Sequence, residues 1–469
     1  MDDSPLLRIG GFVENGADLP LKYANRHGLI SGATGSGKSV TLQLLTEQFS
    51  RAGVSVILPD IKGDLIGLSR AGELNAKVSA ALDKRGQGVP HWSPNPVRRW
   101  TVGAVSADVS SLESSLETLG PHLLSSLLSF NDTQSSLLQV VFRVARDREF
   151  SLKSLKELRE LLVWIQSGRA ELAPLYGSLA ESSLSVMMRE LLVLEEQSAG
   201  RFISGADTPL PHLLATTEEG LGVVNLIDAT TLLRSPELYA SMFCWLVTRL
   251  YEELPEVGDL PKPKLVLFID EAHLLFETLG KGLQESLQRS IRLIRSRGVG
   301  VYFASQLPSD LPDTVLSQLG HRIQHVLRAF TPKDQKAVTI AAQTMRANPE
   351  FDMVEAISTL APGEALVSCL DEHGNPSVTK RVWINVPSSF IGATETNIQL
   401  LQPLKNEPYL GSVTKGSAMP PPAPGSQGKG PATEAAESVR LLTFTSKTKK
   451  HRARVVNGIA RTLGWLLRV

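Results

Sequence analysis

The stretch HGLISGATGSGKSVTLQLLTEQFS, residues 27–50, decides the fold. Residues 28–31 are a short apolar run, 32–39 are rich in glycine, and 40–50 carry apolar side chains at helical spacing. Gly32, Ala33, Thr34, Gly35, Ser36, Gly37, Lys38 and Ser39 satisfy the pattern G-x-x-x-x-G-K-[ST], in the strand-before, helix-after setting that the pattern requires. Glycines let successive backbone N–H groups turn inward without Cβ clashes, and the following helix adds the positive end of its dipole. Such a loop cradles phosphate. Lys38 is placed to reach the β- and γ-phosphates of ATP, and the Ser39 hydroxyl to complete a Mg²⁺ shell. The cofactor-binding set runs from Gly32 through Val40, the residue that follows Ser39 into the helix, and loss of the Lys38 ammonium is expected to weaken ATP binding.

Outward from this loop, short apolar runs alternate with longer amphipathic stretches, which predicts an α/β fold with a central, mostly parallel sheet covered by helices. Strands are expected at 28–31, 54–59, 222–227, 265–269, 299–304, 321–329, 364–369 and 377–386. Helices are expected at 38–51, 236–254, 279–297, 313–319 and 332–343. Between the second and third of these strands, a Leu-, Ser- and Glu-rich stretch reads as a run of amphipathic helices inserted in the core.

The run LVLFI at 265–269 leads into Asp270 and Glu271. A buried strand delivers its last residue to the edge of an open α/β sheet where ligands bind. Asp270 is therefore assigned to the Mg²⁺ shell and Glu271 to polarising the attacking water. The strand at 299–304 ends in Ser305-Gln306-Leu307-Pro308, where Gln306 could contact the γ-phosphate or the lytic water. Asp60-Ile61-Lys62-Gly63-Asp64 closes the second strand and reads equally well as a ligand-side group or an ordinary turn.

Lys+Arg and Asp+Glu both number 48, so a nucleic-acid role would need a local basic surface and not a globally basic chain. Two cysteines, Cys244 and Cys369, each in an apolar run, argue against a disulfide framework or a thiolate metal site and fit a reducing, cytoplasmic setting. The opening MDDSPLLRIGG lacks the apolar core of a signal peptide, and no uncharged apolar run reaches the ~20 residues that span a bilayer. Residues 412–436 are rich in Pro, Gly, Ala and Ser and read as a disordered linker. Beyond it, Arg454, Arg461 and Arg468 recur every seven residues beside an apolar face, giving a basic amphipathic helix that could lie on a membrane surface. The expected division is thus 1–107, the first part of the ATPase core; 108–210, the helical insertion; 211–411, the second part of the core; 412–436, the linker; and 437–469, the basic tail.

Taken together, GATGSGKS, PDIKGD, LVLFIDEAHLLF and FASQLPSDLP resemble the HerA/FtsK group of RecA-like motor ATPases. The stretches HWSPNP, FNDTQ, RLIRSRGVGVYFASQ, LPDTVLSQLGHRIQHVLRAFTPKDQKAV and GEALVSCLDE extend the likeness, nearest to the YjgR-like branch of HerA-like proteins, over most of 5–411. The resemblance implies a RecA-like P-loop NTPase sheet in which the strand ending at Gln306 lies between the phosphate-loop strand and the Asp270 strand. It also implies a homo-oligomer, a hexameric ring, acting on double-stranded DNA, with an arginine entering the neighbour's ATP site; Arg292, Arg295, Arg297, Arg322 and Arg328 are the candidates. Against HerA and FtsK, the 31 residues before the phosphate loop are expected to be too few for HerA's N-terminal β-barrel, and neither FtsK's membrane anchor nor its winged helix is expected. The competing expectation is an ATP-driven remodelling or scaffold protein that works on a protein partner or at a membrane surface.

Overall fold

The structure is a computed structural model that describes residues 5–11, 16–103, 109–371 and 373–402. The expected linker at 412–436 and basic tail at 437–469 lie outside the described residues. Among the described residues there are twelve strands: β1 (Leu6–Gly10), β2 (Ala17–Pro20), β3 (Gly28–Ser31), β4 (Ser55–Asp60), β5 (Val97–Val102), β6 (Ser110–Leu112), β7 (Val224–Asp228), β8 (Leu265–Ile269), β9 (Val299–Ser305), β10 (His321–Gln324), β11 (Glu364–Ser368) and β12 (Lys380–Trp383). β1 and β2 form a separate antiparallel pair, and the other ten make one sheet in the order β12-β11-β10-β3-β9-β8-β4-β7-β5-β6. From β10 through β6 every pairing is parallel, while β10–β11 and β11–β12 are antiparallel. β9 lies between β3 and β8, the order that the resemblance implied.

Central strands are buried on both faces, which is why they read as continuous apolar runs. Along β4 and β8 the side chains divide by alternation: Ile57, Leu265, Leu267 and Ile269 enter one core, whereas Val56, Leu58, Val266 and Phe268 enter the other. Helix α1 (Lys38–Arg51) covers the second face, burying Leu42, Leu45 and Phe49 at helical spacing. α2 (Ala76–Arg85) follows, with Asn75 capping its first turn.

Seven helices lie between β6 and β7, from α3 (Leu116–Leu127), α4 (Asp132–Asp147), α5 (Leu155–Ser167), α6 (Arg169–Tyr176) and α7 (Glu181–Glu195) to α8 (Ser198–Phe202) and α9 (Leu210–Leu213). Capping boxes set two starts, Asn131 with Gln134 for α4 and Ser154 with Glu157 for α5. Of these helices, α3 and, through Phe202, α8 pack on α10 (Pro236–Glu253), which is apolar nearly all round because it is sandwiched between the insertion and the sheet. Trp245 of α10 stacks edge-on against Phe202 at 5.3 Å and donates its indole N–H to Thr118 Oγ1 at 3.1 Å. One apolar core therefore runs from the sheet through α10 into the inserted helices. The remaining helices are α11 (His273–Thr278), α12 (Lys281–Ile294), α13 (Asp313–Leu316), α14 (Pro332–Gln343) and α15 (Met353–Thr359). Among the described residues no helix is long and apolar enough to cross a membrane.

Two expectations need correction. The segment between the second and third expected strands also holds β5 and β6, which extend the sheet past β7. The strand expected at 321–329 ends at Gln324; from His325 the chain leaves the sheet, and Val326 and Leu327 pack with α14 and α15 in a small separate core.

Candidate nucleotide site

Sheet order alone brings three elements to one edge, because β3, β9 and β8 are neighbours and each runs its carboxyl end into a motif. β3 opens into the phosphate loop, and the loop is tied to its neighbours by the backbone. Gly32 N–H donates to Ser305 of β9 at 3.3 Å, Ala33 N–H to Val326 at 2.9 Å, and Gly363 N–H to the Ser36 carbonyl at 2.9 Å. Gly37 takes φ +115°, a conformation that side chains rarely adopt, just before α1 begins. A Cβ on Gly32 would stand 2.5 Å from the His325 Cβ, so the first glycine is also required for space.

Lys38 is buried and donates to the carbonyl oxygens of Gly32 and, at 3.4 Å, Ala33. Burial lowers its pKa, while the nearby Glu271 and Asp270 carboxylates act in the opposite sense. Ser39 and Val40 are half-buried at the start of α1, and Thr34 and Gly35 are exposed at the loop's tip. At the end of β8, Asp270 is buried and its carboxyl is pushed up to about 6, first by burial and then by the neighbouring Glu271, with Lys62 and Lys38 opposing. Its Oδ1 accepts the Glu271 N–H at 2.9 Å.

Glu271 takes φ +46°, a left-handed conformation strained for a non-glycine residue. Its Oε2 is buried and makes no hydrogen bond among the described residues; the nearest cationic candidate, His273 Nδ1, is 3.5 Å away. The sequence motifs thus meet in space: Lys38 lies in the field of both carboxylates, and Asp310, which accepts from Ser305 and from the Leu307 N–H at 2.9 Å, also acts on it. Gln306 directly follows β9 beside Gly32 and is exposed. Asp60 is buried with a raised pKa and accepts the Gly63 N–H at 2.8 Å, so its turn geometry is real, and Lys62 in the same turn reaches the electrostatic field of Asp270.

His325 has no motif around it and is invisible in the sequence. It is fully buried beneath the phosphate loop, with Nδ1 2.9 Å from the Glu364 carbonyl and Nε2 2.9 Å from Thr41 Oγ1. A carbonyl only accepts, so Nδ1 carries the proton and Nε2 takes the Thr41 hydroxyl proton. Burial, with a smaller effect from Lys38, pushes its pKa down to about 4, consistent with a neutral strut. His325→Ala is expected to weaken ATP binding about threefold to tenfold, the equivalent of roughly 1 kcal/mol of lost hydrogen bonding. The check is a titration with a fluorescent ATP analogue; unchanged affinity in a folded variant would remove His325 from the site.

Of the arginines proposed to act on a neighbour, Arg297 donates to the Leu254 carbonyl at 2.6 Å and lies over the Tyr251 ring. Arg322 donates to Leu316. Arg292, Arg295 and Arg328 are exposed.

The helicase HerA-like C-terminal family matches residues 10–409. The chain belongs to this family. HerA DNA double-strand break repair helicases of Sulfolobus acidocaldarius and Saccharolobus solfataricus are 23% and 24% identical to it, covering 77% of this chain and 66% and 65% of theirs. A probable helicase of Methanocaldococcus jannaschii is 34% identical over 125 residues, 26% of this chain and 22% of its own. The chain thus spans less than two thirds of the length of these relatives. Among solved structures, the plasmid coupling protein TrwB in complex with an ATP analogue superposes with a TM-score of 0.55 at 16% identity, covering 84% of this chain and 97% of that one. VirB4 of Thermoanaerobacter pseudethanolicus gives 0.50 at 16% identity, covering 82% and 97%. These likenesses establish the RecA-like fold. The HerA-like chain thus carries a phosphate-loop motif at residues 32–39 on a RecA-like sheet.

Proposed function

We propose that the chain binds Mg-ATP at residues 32–40, hydrolyses it with Glu271, and couples turnover in a homo-oligomeric ring to movement along double-stranded DNA. The observation that carries this reading is the convergence of Lys38, Asp270 and Glu271 at one edge of the sheet, each within the electrostatic reach of the others. The donor set fits the nucleotide: a glycine cradle crowded against His325, a buried Ser36 hydroxyl and a buried Glu271 oxygen without hydrogen bonds among the described residues. Mg-ATP, when bound, supplies the phosphoryl group and the cation that spreads its charge. Lys38 holds the β- and γ-phosphates, Ser39 and Asp270 hold the metal, Glu271 accepts the proton of the attacking water, and Gln306 senses the γ-phosphate from the end of β9.

DNA is supported by the HerA relatives, which are DNA double-strand break repair helicases, and by exposed basic side chains at Arg289, Arg292 and Arg328. Arg292, Arg295 and Arg328, free of the contacts that hold Arg297 and Arg322, are the arginines proposed to serve a neighbouring ATP site. The test is the steady-state ATPase rate with and without duplex DNA, beside Glu271→Gln as the blank. Several-fold stimulation that fades with added salt is the expected result, because phosphate contacts release counterions. A rate indifferent to DNA removes the translocase and leaves the ATPase. In that event the second reading, remodelling of a protein partner, takes precedence, since α5 and α7 expose Val163, Leu192 and Val193.

A further inference from the structure

We propose that the cavity between the β10–β11 pair and the C-terminal end of α14 binds a small oxyanion, a carboxylate or phosphate group, through Arg322 and Arg346. The cavity measures about 460 Å³, a volume suited to a small metabolite, and its polar lining includes Arg322, Arg346, Thr344, Ser368 and Asn375. Arg322 pairs with Ser368 across β10–β11, while the next residue, Ile323, enters the core on the α1 face. Alternation therefore sets Arg322 on the opposite face, toward the cavity.

The guanidinium is incompletely satisfied. One Nη donates to the Leu316 carbonyl at the end of α13, at 2.7 Å; the other is buried without a hydrogen bond among the described residues. No carboxylate forms an ion pair with it among the described residues. An arginine cannot shed its proton to escape burial, so its charge calls for an anion or for water. Capping α13 accounts for the first nitrogen and leaves the second unexplained. Arg346 adds a further cation, fixed by donation to the Pro376 carbonyl at 2.9 Å. Asp371, whose carboxylate feels the Arg346 charge, is engaged by the backbone N–H groups of His373 and Asn375, both at 2.9 Å. Arg322 and Arg346 thus line the same cavity, where one anion would meet both charges.

This cavity is not the nucleotide site. Arg322 lies beside Leu29 in the parallel β3–β10 pairing, before the chain reaches the phosphate loop. Gly320, at the cavity's rim, donates to the Arg26 carbonyl, and Arg26 lies close enough to Arg295 to lower its pKa, after burial. The edge opposite the phosphate loop is therefore rich in cations.

The test uses the full-length Lys38→Ala protein, in which the phosphate loop cannot contribute its ammonium. Calorimetric titration with citrate and, separately, with inorganic pyrophosphate at constant ionic strength distinguishes a carboxylate from a phosphate ligand. Saturable one-to-one binding of either probe, with Kd below about 10 mM and weakened about tenfold or more by Arg322→Met, is expected. Arg346→Ala provides the parallel variant, because its side chain lies at the surface and its loss leaves the packing intact. Saturation by neither probe, or affinity unchanged in both variants, overturns the proposal, and neither outcome bears on ATP binding.

Discussion

Glu271→Gln is expected to keep ATP on the protein while turnover falls about 100-fold or more. The argument rests on what surrounds the carboxylate. Glu271 is held at φ +46° by a strand end whose neighbour, Asp270, accepts its N–H at 2.9 Å. A chain stores backbone strain where the surrounding structure over-determines it, and such positions cluster at functional sites. Its Oε2 is shielded from water without a hydrogen-bond donor among the described residues, with His273 Nδ1 3.5 Å away. A desolvated carboxylate oxygen lacking a donor is costly, and the attacking water seated beside it would supply the missing donor and hand over its proton there. Glutamine has the same shape and keeps the backbone contacts, but its amide cannot accept that proton. Binding of a fluorescent ATP analogue should change less than about threefold, whereas phosphate release in a coupled assay should nearly vanish. Hydrolysis comparable to the parent would refute the assignment and leave the strained backbone unexplained.

The parts of this site that were legible in the sequence are those in which one short stretch contains both the element and its chemistry. GLIS followed by GATGSGKS needs no partner to be read, and LVLFI followed by Asp270-Glu271 needs only the knowledge that a buried strand ends at a ligand edge. What could not be read is what depends on distant contacts. His325 meets Thr41 across 284 residues and Glu364 across 39, and nothing local marks it. The apolar positions Val326 and Leu327 continue the pattern of β10 but belong to a different core, so periodicity carried the strand too far. β5 was missed because Arg98 and Arg99 interrupt its apolar run. Both find partners only in the folded chain, Arg98 in the His212 carbonyl at 3.0 Å and Arg99 in Asp228 at 2.7 Å. Tertiary partners there override local propensity.

Asp270→Asn is expected to move stability and activity in opposite directions. Burial pushes the Asp270 carboxyl up from 3.8 to about 6, with the Glu271 charge adding to it. A carboxyl whose folded pKa is raised contributes stability that is fully present below the unfolded value and lost as pH rises through the folded one. In the nucleotide-free protein at pH 8 the charged form thus costs on the order of 3 kcal/mol, from roughly two units at 1.36 kcal/mol each. Asparagine removes that charge and can still accept the Glu271 N–H through its side-chain oxygen. Part of the gain is offset, because Lys38 and Lys62 lose a nearby anion. The nucleotide-free variant should therefore melt several degrees higher than the parent at pH 8 and lose that advantage as pH falls from about 6 toward 4. Turnover should be abolished at every pH, since a neutral amide is a poor Mg²⁺ ligand. In the parent, kcat/KM should decline on the acid side near pH 6, where free Asp270 takes up its proton. A variant that melts lower at pH 8 would mean that Asp270 is compensated in the free protein by its lysines, and retained Mg-dependent turnover would remove it from the metal's shell. The expected result has a functional meaning: the nucleotide-free chain holds an uncomfortable charge at the strand end, and Mg²⁺ arriving with ATP relieves it, so part of the binding energy is prepared in the fold.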